Sequence, residues 1–405
     1  MTINVDSEVS PLKAVLLHRP GRELERLTPE HLENMLFEDI PWVEKMSREH
    51  DQFARILTEE GCSVYYLTEL LGDVLSGDDH KPAAEARRAL IENTLEHCGL
   101  RETLEAGPIE AYLSELDGRS LAEVIITGLE KHEISFAPAR RPLSHYVREE
   151  NPFYIPPLAN LYFTRDPATV IGSTLSINAM KAGARRRESA LIAFLVANHP
   201  LLRENREVLT YRGNPAHSIE GGDILVLNRR AVAVGCSART SPAAIEQLAS
   251  GLLQRGFEQV LAVQIPAARA YMHLDTVLTM VDQDAFSIFG GVERELAVYR
   301  LHGTPELTVE PVDSLTEALE QALGLPEVRL IRNVDGDTLS AAREQWNDST
   351  NTLAVAPGRV ITYDRNVISN RELKRNGIEV LEIEGSELVR GRGGPRCMSM
   401  PLLRQ

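Results

Sequence analysis

Apolar residues along this chain come in short runs, broken by turn-forming residues at fairly even spacing. Residues 12–18 (LKAVLLH) read as a strand closed by Arg19-Pro20-Gly21. Residues 41–60 place Trp42, Met46, Phe53, Ile56 and Leu57 at helical spacing, and Gly61 is suited to end that helix. Residues 62–67 (CSVYYL) read as the strand that follows. The pattern changes near Leu71. Helices are expected over 84–97, over 108–116 with Pro108 in the first turn, and over 120–131 with Ser120-x-x-Glu123 as a capping box. These segments make residues 75–147 a helical insertion within one domain spanning 1–405, with the proline-rich residues 137–157 as the irregular return.

Beyond the insertion a unit recurs. Residues 163–178, 222–235, 274–289 and 353–363 each read as strand, turn, strand. Helices are expected after them at 185–197, 241–255, 312–323 and 369–376, and further strands at 260–265 and 379–383. With the N-terminal strand–helix–strand included there are about five units, each roughly 50 residues long, a period that suggests blades or arrays. A ring of five ββαβ units brings the starts of the hairpin strands to one central axis.

Composition narrows the class. The 405 residues allow two or three domains, or one large domain with insertions. With 43% hydrophobic and 25% charged residues the chain reads as an ordinary globular protein. Asp and Glu number 59 against 43 Lys and Arg, a net charge of −16, which argues against nucleic acid as a partner. Cys62, Cys98, Cys236 and Cys397 form neither a disulfide framework nor a CxxC zinc spacing. The first residues lack the apolar stretch of a secretory signal, and no apolar run approaches the ~20 residues of a membrane helix. The expected compartment is the cytoplasm, with no membrane partner.

The polar residues at the starts of the hairpins carry the candidate chemistry. Asp166 sits in Thr-Arg-Asp-Pro, Glu220 and Asp223 flank two glycines, and His273-Leu274-Asp275 opens the third hairpin. Cys397 follows Gly391-Arg392-Gly393-Gly394-Pro395-Arg396. Taken singly, an Asp before Pro is a turn former, paired glycines are a bulge, and Cys62, Cys98 and Cys236 are small core hydrophobes. Their joint placement changes the reading. On a strand, His273 and Asp275 project to one face, and the glycines let Glu220 and Asp223 turn to one cavity. Four carboxylates together call for a cation, and a planar guanidinium matches paired carboxylates. Cys397 beside them supplies a nucleophile. A zinc site from His273, Asp275, Glu220 and Cys397 fits no usual structural spacing.

The chain resembles the arginine deiminase family of the guanidine-modifying (pentein) superfamily. The resemblance runs from SPLKAVLLHRPGRELERL through NLYFTRDP, EGGD, MHLDTVLTM and WNDSTNTLAVAPG to GGPRCMSMPL. It implies a five-bladed, pseudo-symmetric α/β propeller with a helical insertion, and hydrolysis of L-arginine to L-citrulline and ammonia without metal or organic cofactor. It also implies a homo-oligomer. Carried over by motif, Cys397 is the nucleophile, His273 the general acid and base, and Glu220 its partner, while Asp166 and Asp275 hold the guanidinium. Asn160, Arg185 and Arg239 match positions that bind the amino-acid end. Phe163 packs on the substrate, Arg392 is a mobile loop arginine, and Asp223 belongs to the amino end or the acidic network. Amidinotransferases and methylarginine or agmatine hydrolases share this machinery. Arg185 and Arg239 favour a substrate with a free carboxylate, and an intact Cys397 and His273 argue against a non-catalytic arginine-binding protein.

Overall fold

The computed structural model describes residues 2–77, 80–134, 151–203, 208–210, 217–333 and 338–405. Among these residues five sheets repeat one topology, and a sixth has two strands, Leu129–Glu130 and Phe153–Ile155. In each of the five an antiparallel pair is followed by a helix and then by a strand parallel to the second member of the pair. The antiparallel pairs Ala168–Ile171 with Thr174–Ile177, Ile224–Asn228 with Ala231–Cys236, Leu278–Met280 with Ala285–Ile288, and Leu353–Ala356 with Arg359–Tyr363 open four of them. The parallel returns are Val208–Thr210, Gln259–Gln264, Arg329–Arg332 and Glu379–Ile383. In the remaining sheet Leu12–Leu17 pairs antiparallel with Met400–Arg404 from the far end of the chain and parallel with Ser63–Tyr66.

The continuous apolar runs follow from burial on both faces. In Ile224–Asn228, Ile224 and Val226 point into one core cluster while Leu225 and Leu227 point into another. In Leu12–Leu17, Ala14 and Leu16 join the first cluster, whereas Leu12, Val15 and Leu17 join a third that also holds Met46, Phe53 and Leu57 of helix Val43–Glu59. Gly61 takes φ +78 just past that helix, a conformation glycine adopts without strain.

Four helices, Leu67–Ser76, His80–His97, Ala106–Glu115 and Gly118–Thr127, occupy the segment between strand Ser63–Tyr66 and strand Leu129–Glu130. The expected irregular return at 137–157 falls largely on residues 135–150, which lie outside the described residues.

Three expectations are corrected. Ser120 does not cap its helix. Asp117 does, accepting from the N–H of Arg119 at 2.9 Å and of Ser120 at 3.1 Å, while the Ser120 hydroxyl donates to the same carboxylate at 2.5 Å. A carboxylate at that end also meets the positive pole of the helix dipole. The helix expected from 312 begins at Leu315 with Ser314 as its cap, because residues up to Val312 are strand. Strands Ala297–His302 and Thr308–Val312 form an extra hairpin that extends the sheet of Gln259–Gln264 to five strands. Finally, His273-Leu274-Asp275 is not strand. Leu274–Thr276 is a single 3₁₀ turn, as is Gly221–Asp223, and strand pairing starts only beyond each turn.

Candidate active site

The ends of the hairpins nearest these turns converge, and five sheets each contribute to one cluster. Cys397 lies just ahead of Met400–Arg404, Asp166 ahead of Ala168–Ile171, Glu220 ahead of Ile224–Asn228, and His273 and Asp275 ahead of Leu278–Met280. The fifth contribution, ahead of Leu353–Ala356, is Asp348 and Asn351.

His273 stands between two acids. Its Nε2 is 2.8 Å from Glu220 Oε2, and its Nδ1 is 3.9 Å from Asp166 Oδ1. Burial alone disfavours the imidazolium. Asp166, the Glu220 hydrogen bond, Asp223 and the Glu220 charge outweigh it and hold the pKa up at about 9. Burial likewise opposes ionisation of Glu220, but Arg239, His273 and Arg185 hold its carboxyl below the usual range. Glu220 also accepts from the N–H of Lys181 at 2.9 Å and from Arg239 Nη1 at 3.1 Å. Gly222 runs against the imidazole so closely that a Cβ there would lie 2.6 Å from Nδ1, and its N–H donates to Asp166 Oδ1 at 3.0 Å. A glycine is required by that approach.

Cys397 is 4% exposed. Its thiol donates to Asp275 Oδ2 at 3.5 Å, and it receives the side-chain amide of Asn351 at 3.0 Å. Burial, then Asp275, Asp166 and Asp348, push the thiol well above its ordinary pKa, while Arg396 pulls it down. At neutral pH the unliganded group is a thiol.

The acids do not wait unpaired for a cation, as the sequence suggested. Asp166 Oδ2 accepts from Arg185 Nη1 at 2.6 Å, and the same guanidinium binds Glu188 at 2.8 Å. Asp275 Oδ2 accepts from Arg396 Nη1 at 2.8 Å, and Arg396 is braced by Glu8 at 3.1 Å. Arg392 lies 3.7 Å over the Trp346 ring, with Asp348 Oδ2 3.9 Å from its Nε. Among the described residues the three Arg392 guanidinium nitrogens, Asp275 Oδ1 and both Asp348 oxygens have no hydrogen-bond partner. Burial pushes the Asp348 carboxyl up to about 7, against the pull of Arg392.

Eight of the eleven residues singled out from the sequence line one cavity: Asn160, Phe163, Asp166, Arg185, Arg239, His273, Arg392 and Cys397. Leu36, Met272, Thr276 and Gly391 complete the wall. Glu220 and Asp275 are wholly buried, one layer back against His273 and Cys397. Asp223 does not turn to the cavity. It sits behind the imidazole, accepting from the N–H of Leu274 at 2.8 Å and the Ser237 hydroxyl at 2.7 Å, and burial pushes it up to about 7. The cavity is only ≈ 20 Å³, room for about one water. It shares Leu36, Arg239, Met272 and Arg392 with an outer vestibule of ≈ 300 Å³.

Comparison with known proteins places this cluster in a family. A family model described as arginine deiminase matches residues 33–404. Over 412 aligned residues the chain is 41% identical to an arginine deiminase of Staphylococcus aureus (strain MRSA252), with 100% of this chain and 98% of the relative covered. An arginine deiminase of Bacillus cytotoxicus is 45% identical over the same span and coverage. The chain belongs to the arginine deiminase family. Solved structures share its mixed α/β fold at low identity. A cysteine-to-serine variant of the Pseudomonas aeruginosa DDAH, complexed with citrulline, has a TM-score of 0.53 at 16% identity, covering 96% of this chain and 98% of that one. An amidinotransferase from Microseira wollei has a TM-score of 0.56 at 14% identity, covering 100% and 98%. This is the fold of the pentein superfamily.

Within the family framework, several residues of the site carried no individual signal in the sequence reading. Asp348, Asn351 and Trp346 lie in the WNDSTN run, and the repeat itself was the available pointer, since they precede the fifth hairpin as the predicted acids precede the others. Glu8, Glu188 and Arg396 had no such pointer. Among the described residues, Asp166, Glu220 and His273 gather closely enough to hold a metal ion. The set is not the His273, Asp275, Glu220, Cys397 combination weighed from sequence. Arg185 and Arg239 already neutralise its carboxylates, and an imidazole held at about 9 is protonated rather than free to ligate.

Proposed function

We propose that this chain hydrolyses L-arginine to L-citrulline and ammonia. The observation that carries the reading is the opening of Cys397 and the Glu220-bound His273 onto one cavity whose wall also holds Asp166 and three arginines. Asp166 and Asp275 take the substrate guanidinium, which requires Arg185 to leave Asp166. Arg185 and Arg239 then meet the substrate carboxylate, Asn160 and Phe163 pack along its length, and Arg392 closes from its loop. Held in this way, the guanidinium carbon lies within reach of the sulfur. Its positive charge also favours the thiolate.

The sulfur forms a bond to the guanidinium carbon. His273 gives its proton to the departing nitrogen, the C–N bond breaks, and ammonia leaves. Water then adds to the S-alkylthiouronium carbon while neutral His273 takes its proton. The S–C bond breaks, releasing citrulline and Cys397. The five like sheets support reading the molecule as a five-bladed propeller that carries residues 75–147 as an insertion. Its working form is a homo-oligomer in the cytoplasm.

Incubation with L-arginine, agmatine and methylated arginines, with assay of citrulline-type product and ammonia, tests the reading. L-arginine is the expected substrate. Agmatine lacks the carboxylate that pairs with Arg185 and Arg239, so its kcat/KM should be lower by roughly 10²-fold. Equal turnover of agmatine removes the carboxylate-reading role, and no turnover of L-arginine removes the activity itself.

A further inference from the structure

The side-chain amide of Asn351 grips Cys397 at two points. Its Oδ1 accepts from the Cys397 backbone N–H at 3.0 Å, and its Nδ2 lies 3.0 Å from Sγ. The orientation of the amide follows from chemistry. A backbone N–H can only donate, so the oxygen must face it, and the NH₂ is left for the sulfur. Asn351 is 1% exposed and sits in the turn that leads to strand Leu353–Ala356. The sulfur therefore lies between one acceptor, Asp275 Oδ2 at 3.5 Å, and one donor, Asn351 Nδ2.

We infer that Asn351 is a further catalytic residue: the fixed hydrogen-bond donor that stabilises the Cys397 thiolate and holds it in line for attack. The inference rests on the reading of Cys397 as nucleophile. Three acids, Asp275, Asp166 and Asp348, face the sulfur and oppose its ionisation, and among the nearby charges Arg396 favours it. Tyr162 and Tyr363 are buried close by and stay neutral, their pKa values raised by burial and by the neighbouring Cys397. Arg396 is engaged by Glu8 and Asp275. A donor aimed directly at the sulfur is then the group that meets the thiolate once the S–H bond to Asp275 is lost. A neutral amide does this without adding a charge that would repel a cationic substrate.

Asn351→Asp is one diagnostic variant. A carboxylate keeps the oxygen that accepts from the Cys397 N–H and replaces the donor to Sγ with an acceptor. Alkylation by iodoacetamide, in which an S–C bond forms and iodide leaves, is followed against pH for the Cys397-containing peptide by mass spectrometry. The variant should fold, and its alkylation midpoint should move up by at least about one pH unit, which is tenfold slower labelling at a pH below both midpoints. Its kcat should fall by at least the same factor with KM for L-arginine little changed. The new carboxylate raises the midpoint by its charge alone, so Asn351→Ala, which removes the donor and adds no charge, decides between the roles: a merely structural role leaves its labelling midpoint at the parental value, and that result overturns the inference. A raised midpoint is expected in Asn351→Ala, whether or not the aspartate variant folds. Turnover retained in Cys397→Ser would remove the nucleophile reading. An inert Cys397→Ser alongside an Asn351→Ala with parental labelling would remove only the role of Asn351.

Discussion

Cys397→Ser is expected to lose turnover by at least about four orders of magnitude while keeping its fold and its affinity for L-arginine. A hydroxyl fits the same space. It can accept from Asn351 and donate to Asp275, as the thiol does, so the packing around a residue 4% exposed changes little. The attacking atom does change. The Asp275 carboxylate is too weak a base to remove a serine proton, whereas the far more acidic thiol ionises once a cationic substrate offsets Asp275, Asp166 and Asp348. Loss of a covalent nucleophile typically costs at this scale. Citrulline release measures the loss, and calorimetric titration with L-arginine measures the retained binding. A serine variant turning over at the parent rate would end the covalent mechanism.

The second large effect concerns pH. His273 is held at about 9 in the folded free enzyme, above the ordinary value of about 6.5. A raised base is charged below its folded pKa, so the acid needed to expel ammonia is present at neutral pH and disappears as pH rises through about 9. The expected kcat/KM profile, which reports free-enzyme groups, therefore falls on the alkaline side near 9. Asp166 and Asp223 add their charge to that of Glu220 in holding the imidazole there. Glu220→Gln removes one charge and should move the falling limb down by about one to three pH units. Stability follows the same sign. The contribution of this histidine is whole below about 6.5 and is lost as pH rises through about 9. A limb that stays put in Glu220→Gln would show that this carboxylate does not tune the acid.

The hairpins were legible because their strands are apolar on both faces, which leaves runs such as ILVL and AVAV in plain view. The hairpin Ala297–His302 and Thr308–Val312 was not, because its strands alternate with Arg300, His302, Glu310 and Pro311 and are half exposed. The 3₁₀ turns were missed for a local reason. A strand and a single turn of three residues share too few positions to separate by periodicity, although either places His273 and Asp275 near one another. The acids, the histidine and the cysteine were legible as a group because the repeat set them at matching ends. Glu8 was not. It meets Arg396 only because Leu12–Leu17 pairs with Met400–Arg404, a contact across nearly the whole chain. The arginine partners of Asp166, Glu220 and Asp275 were also hidden, since Arg185, Arg239 and Arg396 have no sequence mark that says which carboxylate they reach.

In the proposed binding mode, Arg185 on Asp166 makes the entry of substrate an exchange of one guanidinium for another, so the free guanidinium ion joins the same competition. The salt used at molar strength to unravel proteins should, far below that range, occupy the seat beside Asp166. In that dilute regime it should inhibit turnover competitively with L-arginine and raise the melting temperature, since an occupant of the native state stabilises it by mass action. Urea carries no charge and offers no such occupant. Melting curves in dilute guanidinium chloride and in dilute urea, matched for ionic strength with sodium chloride, should therefore diverge in sign before both denaturants take over.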